Sequence, residues 1–186
     1  MRIISGSFKG KKILYLKSSV TRPLKDSVKE SIFNVLLHSN LINIKIENSK
    51  ILDLYSGVGS FGLECISRQS KEITFVEKDD KAIKVLRENL SNLMILNKAH
   101  IIMDSVKNYL KKDLKKKFDI IFFDPPFANN EYLDELNIIK EKKLFSKNHI
   151  VIIHREHRST DSFKKFFEPL IIKKYARSKI IFGKFL

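Results

Sequence analysis

The sequence predicts an α/β fold built on one mostly parallel sheet, and three observations lead to it. First, apolar strand-like runs alternate with helical stretches from residue 50 onward, which is typical of parallel strands covered by helices on both faces. Second, the glycines of a G-x-G-x-x-G pattern, Gly57, Gly59 and Gly62, follow the first of these runs. Third, only a few residues separate the last two runs, too few for a crossover helix, so one of them must run antiparallel. We therefore expect a seven-stranded sheet with an antiparallel last strand.

Each predicted element follows from local pattern. The stretch Asp80–Leu93 and the stretch after Pro23, with Val28, Ile32 and Leu36, carry apolar residues at helical spacing. The strand-like runs are short and rich in β-branched and aromatic residues. The predicted strands are Ile51–Tyr55, Ile73–Glu77, Ala99–Met103, Phe118–Phe123, His149–Ile153, Leu170–Tyr175 and Lys179–Phe185.

The first 20 residues predict a β-hairpin that precedes the main sheet. Two short apolar segments, Ile3–Ile4 and Ile13–Leu16, flank the turn sequence SGSFKGKK. We therefore divide the chain into an N-terminal hairpin and helix, residues 1–48, and a main α/β domain, residues 49–186.

Composition indicates the class of partner. The 186 residues suit one domain, and 36 Lys and Arg against 21 Asp and Glu give a formal charge of +15, which favours nucleic acid. The single cysteine, Cys65, excludes an intrachain disulfide and a cysteine metal cluster, and it suits a reducing cytosol. No apolar run approaches the roughly 18 residues of a membrane span. We expect a cytoplasmic protein without a membrane or metal partner.

Four successive predicted strands finish on or beside an acidic residue: Asp53, Glu77, Asp104 and Asp124. Because the carboxyl ends of parallel strands share one edge of a sheet, we expect these side chains to lie close together at a ligand site. Glu77 could hold two ribose hydroxyls, Asp104 could accept the amino group of an adenine, and Asp53 could favour a ligand that bears an ammonium group. The glycine pattern alone fits NAD, FAD and S-adenosylmethionine equally well.

The stretch FDIIFFDPPF forms the most unusual strand end. Asp124 ends the strand, and Pro125 and Pro126 then fix the backbone and remove two amide donors. The pattern predicts a stiff loop with free carbonyl oxygens and an aromatic plane at Phe127.

Several motifs together resemble a known family. LDLYSGVGSFGLE, FVEKD and DPPF, in this order, resemble class I S-adenosylmethionine-dependent methyltransferases that modify exocyclic amines. RIISGSFKGKKI, TRPLKDSVKESIFNVL and GLECISRQSKEITFVEKD are similar to the bacterial 16S rRNA guanine-N2 methyltransferases that act on guanine 966 of the small-subunit RNA. The resemblance covers nearly the whole chain, although Ser5 replaces a common glycine and Phe127 a common tyrosine.

The resemblance implies a Rossmann-like fold, S-adenosylmethionine as cofactor, and a monomer that acts on 16S rRNA in the small ribosomal subunit or its assembly intermediate. Residues 1–48 would contact RNA and cofactor. The implied site residues are Asp53, Gly57, Gly59, Glu77 and Asp104 for the cofactor, and Asp124, Pro125, Pro126 and Phe127 for catalysis.

Basic residues predict the RNA contacts. Lys9, Lys11 and Lys12 either bind RNA phosphates or are ordinary solvated lysines. Arg22, in a segment that matches the family, either contacts substrate or cofactor or caps a surface loop. We expect Arg155 and Arg158, just past a strand, to form a basic rim near RNA phosphates.

Other functions remain open from the residues alone. An adenine-N6 methyltransferase would use the same DPPF loop, because that loop serves either amine. A dinucleotide-dependent oxidoreductase would use the glycines and Glu77, but it leaves the DPPF loop and the basic charge unexplained. A non-catalytic RNA-binding module has no need of four acidic strand ends. A calorimetric titration separates a methyltransferase from an oxidoreductase, because only a methyltransferase should prefer S-adenosylmethionine to NAD.

Overall fold

The protein forms a seven-stranded sheet in the order β3-β2-β1-β4-β5-β7-β6. The computed structural model describes residues 1–16, 24–126, 131–160, 162–163 and 166–186. The strands are β1 (Lys50–Leu54), β2 (Glu72–Glu77), β3 (Ala99–Met103), β4 (Phe118–Phe123), β5 (Phe145–Glu156), β6 (Phe167–Lys174) and β7 (Ser178–Phe185). The α-helices are α1 (Asp26–His38), α2 (Ser60–Ser67), α3 (Asp80–Asn92), α4 (Val106–Lys111) and α5 (Tyr132–Glu141), and a 3-10 turn covers Leu96–Lys98.

Strand directions confirm the predicted topology. β1 to β5 pair in parallel, whereas β7 is antiparallel to both of its neighbours. The predicted bounds of β3 and β4 are those observed, and β5 is longer than expected because its last residues pair with β7. The chain order reverses between β1 and β4, and in open α/β sheets ligands bind at the carboxyl ends of the strands beside such a switch point.

Helices cover both faces of the sheet, as expected for buried parallel strands. One apolar cluster packs α1, α2 and α3 against residues such as Ile51, Phe75 and Phe122. The other packs α4 and α5 against Leu52, Ile121 and neighbouring strand residues. Alternation along each strand sends successive side chains to opposite faces, so both clusters draw on the same strands.

The N-terminal segment forms a shorter hairpin than predicted. Its arms pair antiparallel at Arg2 and Lys12, where the amide of Ile3 donates to the Lys11 carbonyl and the amide of Ile13 to the Met1 carbonyl, each at 3.0 Å. No strand covers Ile13–Leu16, because beyond this pairing side chains of the main domain take the place of a partner strand. The amide of Leu14 donates to Oδ1 of Asn89 at 2.8 Å, and Nδ2 of Asn89 donates back to the Leu14 carbonyl at 3.1 Å.

Helix α2 anchors the same segment through a buried carboxylate. The two oxygens of Glu64 accept the amides of Ile4 at 2.7 Å and Ser5 at 2.9 Å. Ser67, at the end of α2, accepts the amide of Ser7 at 2.8 Å through its carbonyl. Gly6 at φ +82° lies so close to Ser67 that a Cβ would sit 2.0 Å from the Ser67 carbonyl oxygen. The turn of the N-terminal segment therefore docks on α2.

No helix among the described residues has the length and apolar character needed to span a bilayer.

Candidate active site

The glycine loop between β1 and α2 leaves an opening above the sheet edge. Gly57 has φ +54° and Gly59 has φ +84°, conformations that side-chain-bearing residues adopt at a cost. A Cβ on Gly59 would lie 2.4 Å from Cδ1 of Leu86, so this position requires glycine for packing as well. A Cβ on Gly57 would meet nothing within 4 Å. The loop is packed on its inner side and open at Gly57, which suits close approach by a ligand.

Asp53 lies at the end of β1 and is 1% exposed. Its Oδ2 accepts the amide of Gly62 at 3.0 Å, in the first turn of α2. Burial raises the pKa of Asp53 well above its ordinary value, and the charges of Asp124 and Glu77 act in the same direction, while the Gly62 amide opposes them. Asp53 therefore fixes the start of α2 from beneath the glycine loop.

Glu77 ends β2 and connects the loop to the neighbouring strand. Its Oε2 accepts the amide of Gly57 at 2.8 Å. Its Oε1 accepts the amides of Lys78 at 2.8 Å and Asp79 at 2.9 Å. The carboxylate is thus held in one orientation beside the open glycine.

Asp104 follows β3 at the same edge. Its Oδ1 accepts the amide of Ser105 at 2.8 Å, and its Oδ2 receives Nζ of Lys112 at 2.8 Å. The hydrogen bond from Lys112 is the main cause that lowers the pKa of Asp104. Asp104 is therefore an ionised acceptor near the end of the β3 strand.

Asp124 follows β4 and lies beside β5. The last parallel pair of the two strands is Phe123 with Ile153, so the next residues, Asp124 and His154, are level with each other. Oδ1 of Asp124 lies 2.8 Å from Nδ1 of His154. The side chains are 23% and 10% exposed respectively, so the pair sits at the boundary between core and solvent.

Arg155 is buried and contacts the loop of Pro125 and Pro126, which we call the proline loop, and it does not form a basic rim. It is 2% exposed, its guanidinium lies 4.3 Å from the ring centroid of Tyr132, and Nη1 donates to the Pro126 carbonyl at 3.4 Å. The sequence prediction for Arg155 was wrong because β5 is still covered by α5 at this position, one residue before the strand ends. Arg158, beyond the strand, is exposed.

A second acidic group supports the loop region from α5. The hydroxyl of Tyr55 lies 2.9 and 2.7 Å from the two carboxylate oxygens of Glu135, which is 2% exposed. Burial raises the pKa of Glu135 to about 7, and the Tyr55 hydroxyl opposes that shift. Tyr55 itself has φ +59° at the first position after β1. This contact links the end of β1 to α5 across the site.

The structure brings together the acidic residues that the sequence singled out, but not every predicted contact residue. Lys9, Lys11 and Lys12 are exposed. Lys9 lies in the turn beside Ser67, at the end of α2 away from the glycine loop. Phe127 and Arg22 lie outside the described residues, as does the segment 17–23 that carries Arg22.

Histidine and acidic side chains of the described ranges form no group of three that could hold a metal ion. His154 contacts Asp124, and Nδ1 of His157 pairs with the Tyr175 carbonyl in the turn between β6 and β7.

Comparison with known proteins places the chain in a family. The family model described as "Conserved hypothetical protein 95" matches residues 1–184. The protein named ribosomal RNA small subunit methyltransferase D from Buchnera aphidicola is 34% identical over 158 residues, covering 85% of this chain and 79% of the relative. The chain belongs to this methyltransferase family. The predicted class I methyltransferase fold is thereby confirmed.

Solved structures agree with this membership. A candidate methylase from Haemophilus influenzae is 28% identical, with a TM-score of 0.79 over 98% of this chain and 96% of that one. An SAH-bound methyltransferase from Podospora anserina is 27% identical, with a TM-score of 0.52 over 56% of this chain and 45% of that one. SAH is what remains of S-adenosylmethionine after methyl transfer. The predicted cofactor of the family, S-adenosylmethionine, is confirmed.

Sequence reasoning missed the partners of the predicted residues. Neither the contact of His154 with Asp124 nor that of Tyr55 with Glu135 was predicted from the sequence. The predicted strands Phe118–Phe123 and His149–Ile153 end at the same edge of the sheet, so aligning their last residues could have placed Asp124 level with His154. No local signal connects Tyr55 with Glu135, which lies 80 positions later.

Proposed function

We propose that this methyltransferase transfers a methyl group from S-adenosylmethionine to the exocyclic N2 amine of a guanine, guanine 966, in 16S rRNA. The observation that carries the proposal is the Asp124 carboxylate, which lies at the carboxyl edge of the sheet, just before Pro125 and Pro126. Its strand is next to β1, which carries Asp53, and β2 with Glu77 is one strand further. The net charge of +15 favours a nucleic acid over a small amine. The names of relatives such as the Buchnera aphidicola protein support small-subunit rRNA.

The residues at the carboxyl ends of β1 to β3 fit S-adenosylmethionine. The open position at Gly57 leaves room for a ligand against the loop backbone. Glu77 would hold the ribose hydroxyls and Asp104 the adenine amino group, while the buried Asp53 holds the loop and favours the amino-acid end. When bound, the cofactor supplies an electrophilic methyl group on a positively charged sulfur, so the chemistry requires no metal.

Asp124 and the proline loop would activate the amine. The lone pair of a guanine 2-amino group is delocalised into the ring, which makes the nitrogen a poor nucleophile. Hydrogen bonds from the amine to the Asp124 carboxylate and to a loop carbonyl would turn the nitrogen toward tetrahedral geometry. Because the Pro126 carbonyl accepts Arg155, we assign the second acceptor to the Pro125 carbonyl. Two consecutive prolines hold that carbonyl before the substrate arrives, which lowers the cost of orientation.

The rest of the substrate interface is part of the same proposal. Phe127 would stack on the extruded base, and Lys9, Lys11, Lys12 and Arg22 would contact RNA phosphates. Residues 1–48 would serve as the RNA-contacting extension and residues 49–186 as the methyltransferase domain. The substrate would be the small ribosomal subunit or its assembly intermediate, met by a monomer in the cytoplasm.

The identity of the modified nucleoside tests the proposal. Purified protein is incubated with labelled S-adenosylmethionine and small subunits that lack the modification, and the RNA is digested to nucleosides. We expect the label in N2-methylguanosine, and, when the RNA is cut into oligonucleotides instead, only in the fragment that contains position 966. Label in N6-methyladenosine would transfer the assignment to an adenine-N6 methyltransferase, and label only in protein or small molecules would overturn the nucleic-acid substrate.

A further inference from the structure

We infer that His154 is a positioning residue for the Asp124 carboxylate: its Nδ1–H holds one carboxylate oxygen so that the other faces the amine. The inference rests on the proposed function, since it concerns the group that would accept the substrate amine. It starts from the 2.8 Å contact between Nδ1 of His154 and Oδ1 of Asp124.

The fold places the two groups side by side. β4 and β5 are parallel neighbours paired as far as Phe123 and Ile153, and one more residue on each strand gives Asp124 and His154. His154 also remains part of the ladder with β7, where it is paired with Ile180. Its backbone is therefore fixed on both sides, and the imidazole is a rigid support for a residue that begins a loop.

The direction of the proton follows from what Asp124 must do. An ionised carboxylate only accepts hydrogen bonds, so a carboxylate that receives the substrate amine needs the shared proton on Nδ1 of His154. Oδ1 is then occupied, and Oδ2 is the oxygen that takes the amine. Without the imidazole, rotation about the side-chain torsions would let the carboxylate leave this orientation.

The imidazole also offsets a local repulsion. Asp53 and Asp124 extend from neighbouring strands, β1 and β4. Burial is the main cause of the raised pKa of Asp53, and the charge of Asp124 raises that pKa further. A donor on the far side of Asp124 holds that carboxylate in place against the repulsion. Hydrogen bonds to charged groups of this kind are stronger than neutral ones.

Three variants test the inference in steady-state methyl transfer, scored as total labelled methyl in RNA whichever nucleoside carries it. His154→Ala should lower kcat about 10- to 100-fold, the usual range for losing a hydrogen bond to a charged group. The Kd for S-adenosylmethionine and the KM for RNA should stay within about 3-fold of the parent. His154→Asn keeps a donor near the position of Nδ1 and should restore most of kcat.

His149→Ala is the matched control. His149 is a buried histidine of the same strand, 4% exposed, but its ring bonds the Ser146 carbonyl and the Phe185 amide at the opposite end of β5. The His149→Ala variant should have a lower melting temperature than the parent, while its kcat per folded molecule stays near the parent value. Circular dichroism of all variants identifies any loss of folding.

A double-mutant cycle with Asp124→Ala decides whether His154 acts through Asp124. In the Asp124→Ala background, His154→Ala should cause little further loss, because the group that it positions is gone. Parent-like kcat in His154→Ala, equal loss in folded His154→Asn and His154→Ala, or additive losses in the cycle would each overturn the inference. Failure of the parent protein to methylate RNA would instead overturn the proposed function.

Discussion

Asp53 and Glu77, at the ends of β1 and β2, accept hydrogen bonds from backbone amides, whereas Asp124, at the end of β4, is held by the side chain of His154. The amide donors of the first two residues come from the glycine loop, the first turn of α2 and the turn after β2. The imidazole that holds Asp124 comes from another strand. Under the proposed function, the ends of β1, β2 and β3 form the cofactor half of the site and the ends of β4 and β5 form the substrate half.

The two halves differ in how far apart in the sequence an acidic residue and its hydrogen-bond donor lie. In the cofactor half, an acidic residue and its donor are at most 20 positions apart, as with Gly57 and Glu77. A short motif therefore contains the whole contact. In the substrate half, Asp124 and His154 are 30 positions apart, and the contact exists only because two strands are in register. Substitutions at Asp53 or Glu77 would remove bonds that hold the glycine loop and α2, whereas a substitution at His154 on β5 would change the partner of Asp124.

Asp124→Ala should have the largest effect of a single substitution, and it separates the two halves. Loss of a hydrogen bond that strengthens in the transition state costs about 10²- to 10³-fold in rate. We expect kcat to fall by this amount while the Kd for S-adenosylmethionine changes little, measured by radiolabel transfer and calorimetry. Asp119→Ala is a control at the other end of the same strand, where its Oδ2 accepts the Lys50 amide. Loss of cofactor binding in Asp124→Ala would assign Asp124 to the cofactor half.

Glu77→Ala should show the opposite pattern. Its predicted ribose contacts and its bond to the Gly57 amide both serve the cofactor, so the Kd for S-adenosylmethionine should rise about 10- to 100-fold. At saturating cofactor, kcat should approach that of the parent. Glu72→Ala, at the amino end of β2 where the carboxylate pairs with Lys116, should leave the Kd unchanged. An unaltered Kd in Glu77→Ala would remove this residue from the site.

Replacement of Lys9, Lys11 and Lys12 by alanine tests whether RNA also binds the N-terminal turn, which lies outside both halves of the site. The turn with Lys9 lies at the far end of α2, and an eight-residue helix is about 12 Å long, a span that RNA can cover. For every lysine that binds a phosphate, its replacement should reduce the slope of log affinity against log salt by roughly 0.7 to 0.9. Three exposed lysines at the amino edge of the sheet, Lys71, Lys117 and Lys147, provide the control triple variant. Equal slopes in the two triple variants would show that the N-terminal lysines are bystanders.

The smallest expected effect concerns pH and Glu135. Its pKa is raised from 4.5 to about 7, so the folded state binds this proton more tightly than the unfolded state does. The contribution of Glu135 to stability is therefore present at low pH and declines as pH rises from about 4.5 to about 7. Glu135→Gln should flatten the decline in melting temperature across that range. Glu141→Gln, at the exposed end of α5, should leave the decline as it is in the parent.

Sequence reasoning recovered the directions of the strands and the place of four acidic residues at the carboxyl edge of the sheet, but neither the strand order nor the contacts of those residues. Periodicity and the short connection after Tyr175 predicted the parallel sheet and its antiparallel strand because both are local signals. The N-terminal hairpin was predicted too long, because past the pair of Arg2 and Lys12 the side chains of Glu64 and Asn89 bond the backbone of its arms. Arg155 was misplaced because burial under α5 depends on packing between segments far apart in the chain.

The anchoring of the N-terminal segment has a consequence for the order of assembly during synthesis. Ile4 and Ser5 are translated well before Glu64, and Leu14 well before Asn89, so the segment has no place to dock until α2 and α3 exist. Its apolar residues, Ile3 and Ile13, stay unburied over that interval, although both are buried in the finished protein. This segment is thus made before α2 and α3 but packs only after both helices have formed.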